Sequence, residues 1–235
     1  GAGLFGIWVG TFSLTTLAST GIAAAVIVLV TLAASRHLLP YGGDAGGKLL
    51  ALPKGIVTFV GIIACIAFLV EGAIMDWGGV FLTTVRHFDM ALAGTGFTVF
   101  SAAMLTMRLL GDWTVQKLGQ ERVVIGGSLL AVAGFLFIIF APTVVLLYLG
   151  FFFIGVGCAN VVPVFFSLLG KQHVMPISLA VPAVSTLGYL GILMGPAAIG
   201  FIAHQTSLYA AFTLLAALVL LQAVIAAYVY RNIVE

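Results

Sequence analysis

The sequence predicts an all-α fold, a polytopic bundle of transmembrane helices. Three observations carry this. Seven apolar runs each reach the roughly 20 residues that a spanning helix needs. The chain is 63% hydrophobic and 7% charged, against roughly 45–50% apolar and 25% charged in soluble domains, so its surplus apolar surface needs lipid to face. Lysine and arginine also alternate in density between one set of connections and the other. Only helices and closed barrels satisfy their backbone in lipid. The runs are continuous and lack the ten-residue alternation of barrel strands.

Taken in order, the runs are Ser13–Ser35, Leu52–Val85, Ala91–Asp112, Val123–Ala141, Val144–Leu169, Pro176–His204 and Leu208–Tyr230. The residues before Thr11 read as the tail of an earlier helix. The opening "GAGLFGIWVG" has neither Met nor a charged leading region and does not read as a signal peptide. The chain reads instead as a piece whose N-terminal part lies outside it. Most connections are short. Residues 36–54, "RHLLPYGGDAGGKLLALPK", are the exception, with the glycine and proline content of a linker. This linker divides one helix and a remnant (1–35) from a compact group of six helices (55–235).

The nine basic residues sort by side. Arg36, Lys48 and Lys54 lie in the linker. Arg108, Lys117 and Arg122 follow two spans later, then Lys171 and Arg231. All eight fall on one side, and Arg86 stands alone on the other. Cytoplasmic loops carry the excess of Lys and Arg, so the linker and the C-terminus are expected in the cytoplasm. Trp77 and Trp113 fit an aromatic belt at the outer and inner interfaces. No basic cluster points to nucleic acid. Cys65 and Cys158, far apart within apolar runs, imply neither a disulfide framework nor a metal site, and no cofactor is expected.

Polar residues are unevenly shared among the spans. Val123–Ala141 and Leu208–Tyr230 hold only Ser128 and Gln222 in their middles, and much of their surface can face lipid. Four other spans carry acids, hydroxyls or helix breakers, which at membrane depth face protein or water. Leu52–Val85 has Glu71 and Asp76; Val144–Leu169 has Asn160 and Pro163; Pro176–His204 has Pro182, Ser185 and Tyr189; Ala91–Asp112 has several hydroxyls. These four are expected to surround something wet.

Glu71 lies about 24 Å from the cytoplasmic end of its helix, placing it in the outer half of a roughly 30 Å core. Asp76, about 7 Å further, is expected near the outer interface, and the two acids point about 140° apart rather than sharing a proton. A charge at this depth costs at least about 2.5 kcal/mol, so Glu71 marks either a cavity or a specific packing contact. Glycines 188, 191, 195 and 200 let helices approach closely.

The connection "RLLGDWTVQKLGQERVV", from Arg108 to Val124, resembles the cytoplasmic loop motif of the major facilitator superfamily. The matching positions are Arg108, Gly111, Asp112, Lys117, Gly119 and Arg122. Trp113 and the pair Gln120-Glu121 depart from it, since basic residues are common there. Arg108 and Asp112, spaced i, i+4, can pair on one helix face. Gly111 permits close backbone approach and Gly119 a tight turn. The stretch "EGAIMDW" resembles the seventh helix of the branch that holds YbjJ and the MosC-type inner-membrane proteins, and "VSTLGYLGILMGPAAIGFIA" resembles the eleventh helix of many bacterial members.

The resemblance implies the superfamily's transporter fold, two six-helix halves joined by a long cytoplasmic loop. Residues 1–35 then look like the tail of helix five and helix six, 36–54 like the central linker, and 55–235 like the C-terminal half, about seven transmembrane helices in all. It implies alternating access, often proton-coupled, in a multi-pass protein of the bacterial inner membrane. Glu71 becomes the candidate for proton or substrate contact, with Asp76, Asn160, Ser185 and Tyr189 as weaker candidates along the path. The loop motif becomes a conformational latch. The implied partners are the lipid bilayer, the missing N-terminal half and a small polar solute, sugar-like ones included. An integral-membrane enzyme and a transporter-like sensor are the alternatives. An enzyme needs an acid–base cluster near one interface, yet His37, His87 and His173 fall in loops and His204 at a helix end, and Arg86-His87-Phe88-Asp89 reads as an exposed outer loop. No enzymatic activity is expected.

Overall fold

The computed structural model of the chain describes residues 52–234 and five helical positions between 22 and 32. The chain divides into two compact units, Gly1–Gly46 and Gly47–Glu235. The run Ser13–Ser35, apart from those five positions, and the linker up to residue 51 lie outside the described residues.

In the second unit α1 (Ile56–Val80) runs on through a π-helical turn, Phe81–Val85. Then come α2 (Thr95–Leu109), α3 (Gly111–Leu118), α4 (Gln120–Phe140), α5 (Val144–Cys158), α6 (Val161–Leu168), α7 (Ile177–Gln205) and α8 (Leu208–Val234). Among the described residues there is no strand. Six segments there are long and apolar enough to cross a membrane: Ile56–Val85, Met90–Leu109, Gln120–Phe140, Val144–Lys171, Ile177–Gln205 and Leu208–Asn232. They follow the last six predicted runs to within a few residues.

Side chains of the connections set the helix ends. Thr143 accepts from Leu146 N–H at the start of α5, and Ser207 accepts from Ala210 N–H at the start of α8. Gly119 turns the chain from α3 into α4 at φ 85°, a left-handed conformation that favours glycine. Arg86 is no bare loop charge. Its Nη2 donates to the carbonyls of Ile138 (2.6 Å) and Ile139 (2.8 Å), which the end of α4 leaves open. His87 and Asp89 are exposed, as expected of that loop.

α1 lies along α7, α4 packs between α5 and α8, and α2 rests on α5. Small residues make these approaches possible. A Cβ at Gly191 would strike the Cys65 carbonyl of α1, and one at Gly157 the Gly127 carbonyl of α4. The core divides into two apolar clusters, one around Phe81, Phe135, Phe151 and Phe212 and the other around Ile63, Phe165 and Leu168. α4 and α8 present Leu129, Leu136, Leu220 and Val224 outward. Their two polar exceptions find each other: Gln222 Nε2 donates to Ser128 Oγ at 3.0 Å, both fully buried.

The structure adds a partner or a placement to three residues read from the sequence. Trp77 Nε1–H donates to the Pro196 carbonyl at 2.9 Å, and its ring covers Gly200 of α7. Arg108, the first residue of the loop motif, lies in α2, inside the predicted run Ala91–Asp112, two residues before the break at Leu110 that separates α2 from α3. Glu71 is fifteen residues into the 30-residue segment Ile56–Val85, near the middle of that helix.

Candidate functional site

Glu71 and Arg108 meet. Arg108 Nη2 lies 3.2 Å from Glu71 Oε1, the only salt bridge among the described residues. Glu71 is 18% exposed and Arg108 43%, so the pair is neither sealed in the core nor spread on open surface. Each charge offsets the other's cost at membrane depth, which answers why this apolar helix tolerates an acid. The pair also displaces the expected bond between Arg108 and Asp112. The junction at Leu110 interrupts the helix between them, and the carboxylate of α1 takes the guanidinium instead.

A proline fixes the second contact of Arg108. Pro163 has no N–H, so the carbonyl four residues earlier, Ala159, loses its helical partner. Arg108 Nε donates to that carbonyl at 3.3 Å. Asn160, buried at the same break between α5 and α6, donates from Nδ2 to the Met107 carbonyl at 3.2 Å. A Cβ at Gly111 would come within 2.6 Å of Asn160 Oδ1, so the glycine is what admits the amide. The broken helix α5–α6 is thereby stitched to the end of α2 by two side chains that cross in opposite directions.

Arg108 stands between two cavities. One, of about 250 Å³, is lined by Glu71, Met75, Phe97, Phe100, Ser101 and Met104, with Arg108 at its end. Gly72 and Ile192 close its α7 side, where helix approach is tight. The other, also about 250 Å³, is lined by Arg108, Asp112, Gln120, Asn160, Pro163 and Ser167, among others. Arg108 lines both, where a largely apolar chamber meets one with more polar groups.

The remaining predicted site residues lie apart from the pair. Asp76 is exposed on α1, away from the Glu71 cavity. Tyr189 is 64% exposed and stacks on Phe68 at 6.2 Å. Ser185 is half-buried one turn earlier on α7, and neither residue lines the cavity. Of the loop motif, Gly111 and Gly119 occupy the tight positions expected of them. Asp112 sits in the first turn of α3, Lys117 lies over the Trp113 ring at 4.8 Å, and Arg122 is exposed at the start of α4. Ser101 is one of the hydroxyls that marked its span as facing something wet; sequence reasoning missed Met75 and the Ala159 carbonyl. The last had a readable signal, because a proline within a helix opens the carbonyl four residues before it. Among the described residues no three His, Cys, Asp or Glu side chains gather as a metal site.

Together these features define a class: a multi-pass helical membrane protein with broken helices and an ion pair facing a cavity near mid-span. The Major Facilitator Superfamily profile matches residues 60–234. The chain belongs to that superfamily. It is 42% identical over 215 residues to an uncharacterised MFS-type transporter of Yersinia pestis, covering 91% of this chain and 55% of the relative. It is 30% identical over 173 residues to the membrane protein MosC of Rhizobium meliloti, covering 74% of this chain and 40% of MosC. Among solved structures, the POT family transporter PepTSo superposes with a TM-score of 0.61 at 22% identity, over 78% of this chain and 38% of that one, a likeness of fold. The chain spans about half the length of the curated relatives it matches.

Proposed function

We propose that this chain is the C-terminal half, with part of the N-terminal half, of a transporter that carries a small polar solute by alternating access coupled to protons. The observation that carries the reading is the ion pair Glu71–Arg108, half-open to a cavity, with Glu71 near the middle of its span and Arg108 at the end of the next. A carboxylate whose only partner among the described residues is one arginine can take up a proton when the site opens to one side and lose it to the other. In this reading residues 1–35 complete the N-terminal half and 36–54 are the cytoplasmic linker. The protein sits in a bacterial inner membrane with its linker and C-terminus in the cytoplasm, as the distribution of Lys and Arg supports.

The break at Leu110 and the turn at Gly119 support a latch role for Arg108, Gly111, Asp112, Lys117, Gly119 and Arg122. Asn160 holds the arginine's setting. Asp76, Ser185 and Tyr189, on surfaces that the described unit leaves open, are positions where the other half and the solute could meet the path.

The test uses the full-length protein, with small polar solutes screened by thermal shift at pH 6 and pH 8 in wild type and Glu71→Gln. A solute that stabilises wild type with a pH dependence lost in Glu71→Gln supports a proton-coupled site. Equal stabilisation of both proteins at both pH values returns Glu71 to a packing role.

A further inference from the structure

We infer that the solute is a small organic oxyanion, a carboxylate or phosphate monoester with an apolar part, held by Arg108 once Glu71 releases it. The inference rests on the transport reading and names its substrate class. Of the five N–H donors of the guanidinium, Nε is used by the Ala159 carbonyl and one Nη2 hydrogen by Glu71. The Nη1 edge has no partner among the described residues, and the side chain as a whole is 43% exposed. A planar fork with free donors, set on a fixed backbone contact, matches a carboxylate or phosphate two bonds at a time.

The rest of the chamber narrows the choice. Its wall is Met75, Phe97, Phe100, Met104 and Leu105, and beyond the ion pair its one hydroxyl is Ser101. A sugar would need a partner for each of its hydroxyls, and among the described residues this wall offers few. A cation would meet Arg108 head on. An acid with a small apolar body fits both the charge and the lining, and about 250 Å³ limits it to a small molecule.

Glu71 occupies the fork as an internal carboxylate, so it competes with the solute's own. Few other titratable groups face it. α2 supplies Arg108, α5 the Cys158 thiol, and Asp112 of α3 lies on the far side of the arginine in the second cavity. Asp76 on α1 itself is exposed and points elsewhere. α7 meets the chamber through Ile192, and α6 carries no titratable side chain. α8 meets α1 through Tyr209 on Phe81 and Tyr228 on Phe59, each ten or more residues along from Glu71. Protonating Glu71 therefore removes the one anion on the fork. One proton bound frees one oxyanion site, which links the two in the same direction of movement.

The experiment uses the full-length protein in detergent and in proteoliposomes. Benzoate, lactate, glycerol 3-phosphate, glucose and choline serve as probes at pH 6 and pH 8. The expected result is binding and uptake of a carboxylate or a phosphate ester, tighter at pH 6. Glu71→Gln should bind it equally at both pH values. Arg108→Gln should weaken it about tenfold or more, because a charge-assisted bidentate contact is lost. Arg108→Lys and the double variant Glu71→Gln/Arg108→Gln keep the charge balance and control for misfolding, and both should also bind weakly. The choice between benzoate or lactate and glycerol 3-phosphate tells carboxylate from phosphate. Uptake of glucose or choline that Arg108→Gln leaves unchanged overturns the oxyanion assignment and keeps the transport reading. No uptake of any probe by well-folded protein counts against both.

Discussion

Two polar pairs lie deep in this unit, and they differ in kind. Glu71–Arg108 joins α1 to α2, is charged, and borders two cavities. Ser128–Gln222 joins α4 to α8, is neutral, and is fully buried in close-packed apolar surroundings. The first sits beside a broken helix whose proline has freed a carbonyl for the arginine. The second joins two helices that run unbroken past it. The contrast teaches that a polar residue within a span becomes a candidate site through access and an opened backbone, not through depth alone. A sealed neutral pair can hold two helices in register and do nothing else.

The largest expected effect breaks the sealed side. Gly157 meets Gly127 backbone to backbone, so Gly157→Leu must push α5 off α4. Overpacking of this kind costs about 3 kcal/mol or more where a backbone rather than a side chain blocks the way. The full-length variant should lose most of its monodisperse yield on size-exclusion chromatography. Gly126→Ala, where a Cβ would meet nothing within 4 Å, should behave as wild type. If both variants purify alike, the close approach of α4 and α5 is wrong.

Arg108→Gln tests the open side. Removing the arginine leaves Glu71 charged and unpartnered near mid-span. Breaking a fully buried pair costs about 3–5 kcal/mol, and the exposure of Arg108 reduces this to about 1–3 kcal/mol. Chemical denaturation in detergent at pH 8 should show the loss, and adding Glu71→Gln should recover most of it. Additive single effects would mean that the two side chains do not interact.

Much of this architecture was legible in the sequence, because span length and charge alternation depend on composition summed over many residues. Six predicted runs match six helices to within a few residues for that reason. The site was legible only in part. Glu71 stood out as a lone acid in an apolar run, but its partner is 37 positions away, and helix pairing is not written in either helix. Arg108 was read both as part of the run Ala91–Asp112 and as the start of the loop motif, and neither reading names the acid it meets. Gly111 marks the place of the break at Leu110, but Asn160, seated against that glycine, comes from another helix. The partner of Trp77 was hidden in the same way, since an interfacial Trp and one bonded to a neighbouring helix read alike along one chain.

Trp77 also gives a measure of single neutral contacts on the α1–α7 seam. Trp77→Phe removes the donor to the Pro196 carbonyl and part of the cover over Gly200. A neutral hydrogen bond contributes about 0.5–1.5 kcal/mol net, so a loss near 1 kcal/mol is expected by thermal shift, with solute affinity unchanged.

Gln222→Leu should be smaller still. Interhelical hydrogen bonds in membrane proteins average about 0.6 kcal/mol, and Gln222 already carries a buried Oε1 with no partner. Leucine loses the bond to Ser128 but removes that unpaired oxygen, and its volume nearly fills the space. The two effects oppose, so stability should stay within about 0.6 kcal/mol of wild type and uptake should not change. A large loss of uptake with stability intact would mean that the sealed pair moves during the cycle. The contrast between the two pairs would then lie in timing rather than in access, with α4 and α8 parting while α1 and α2 exchange a proton.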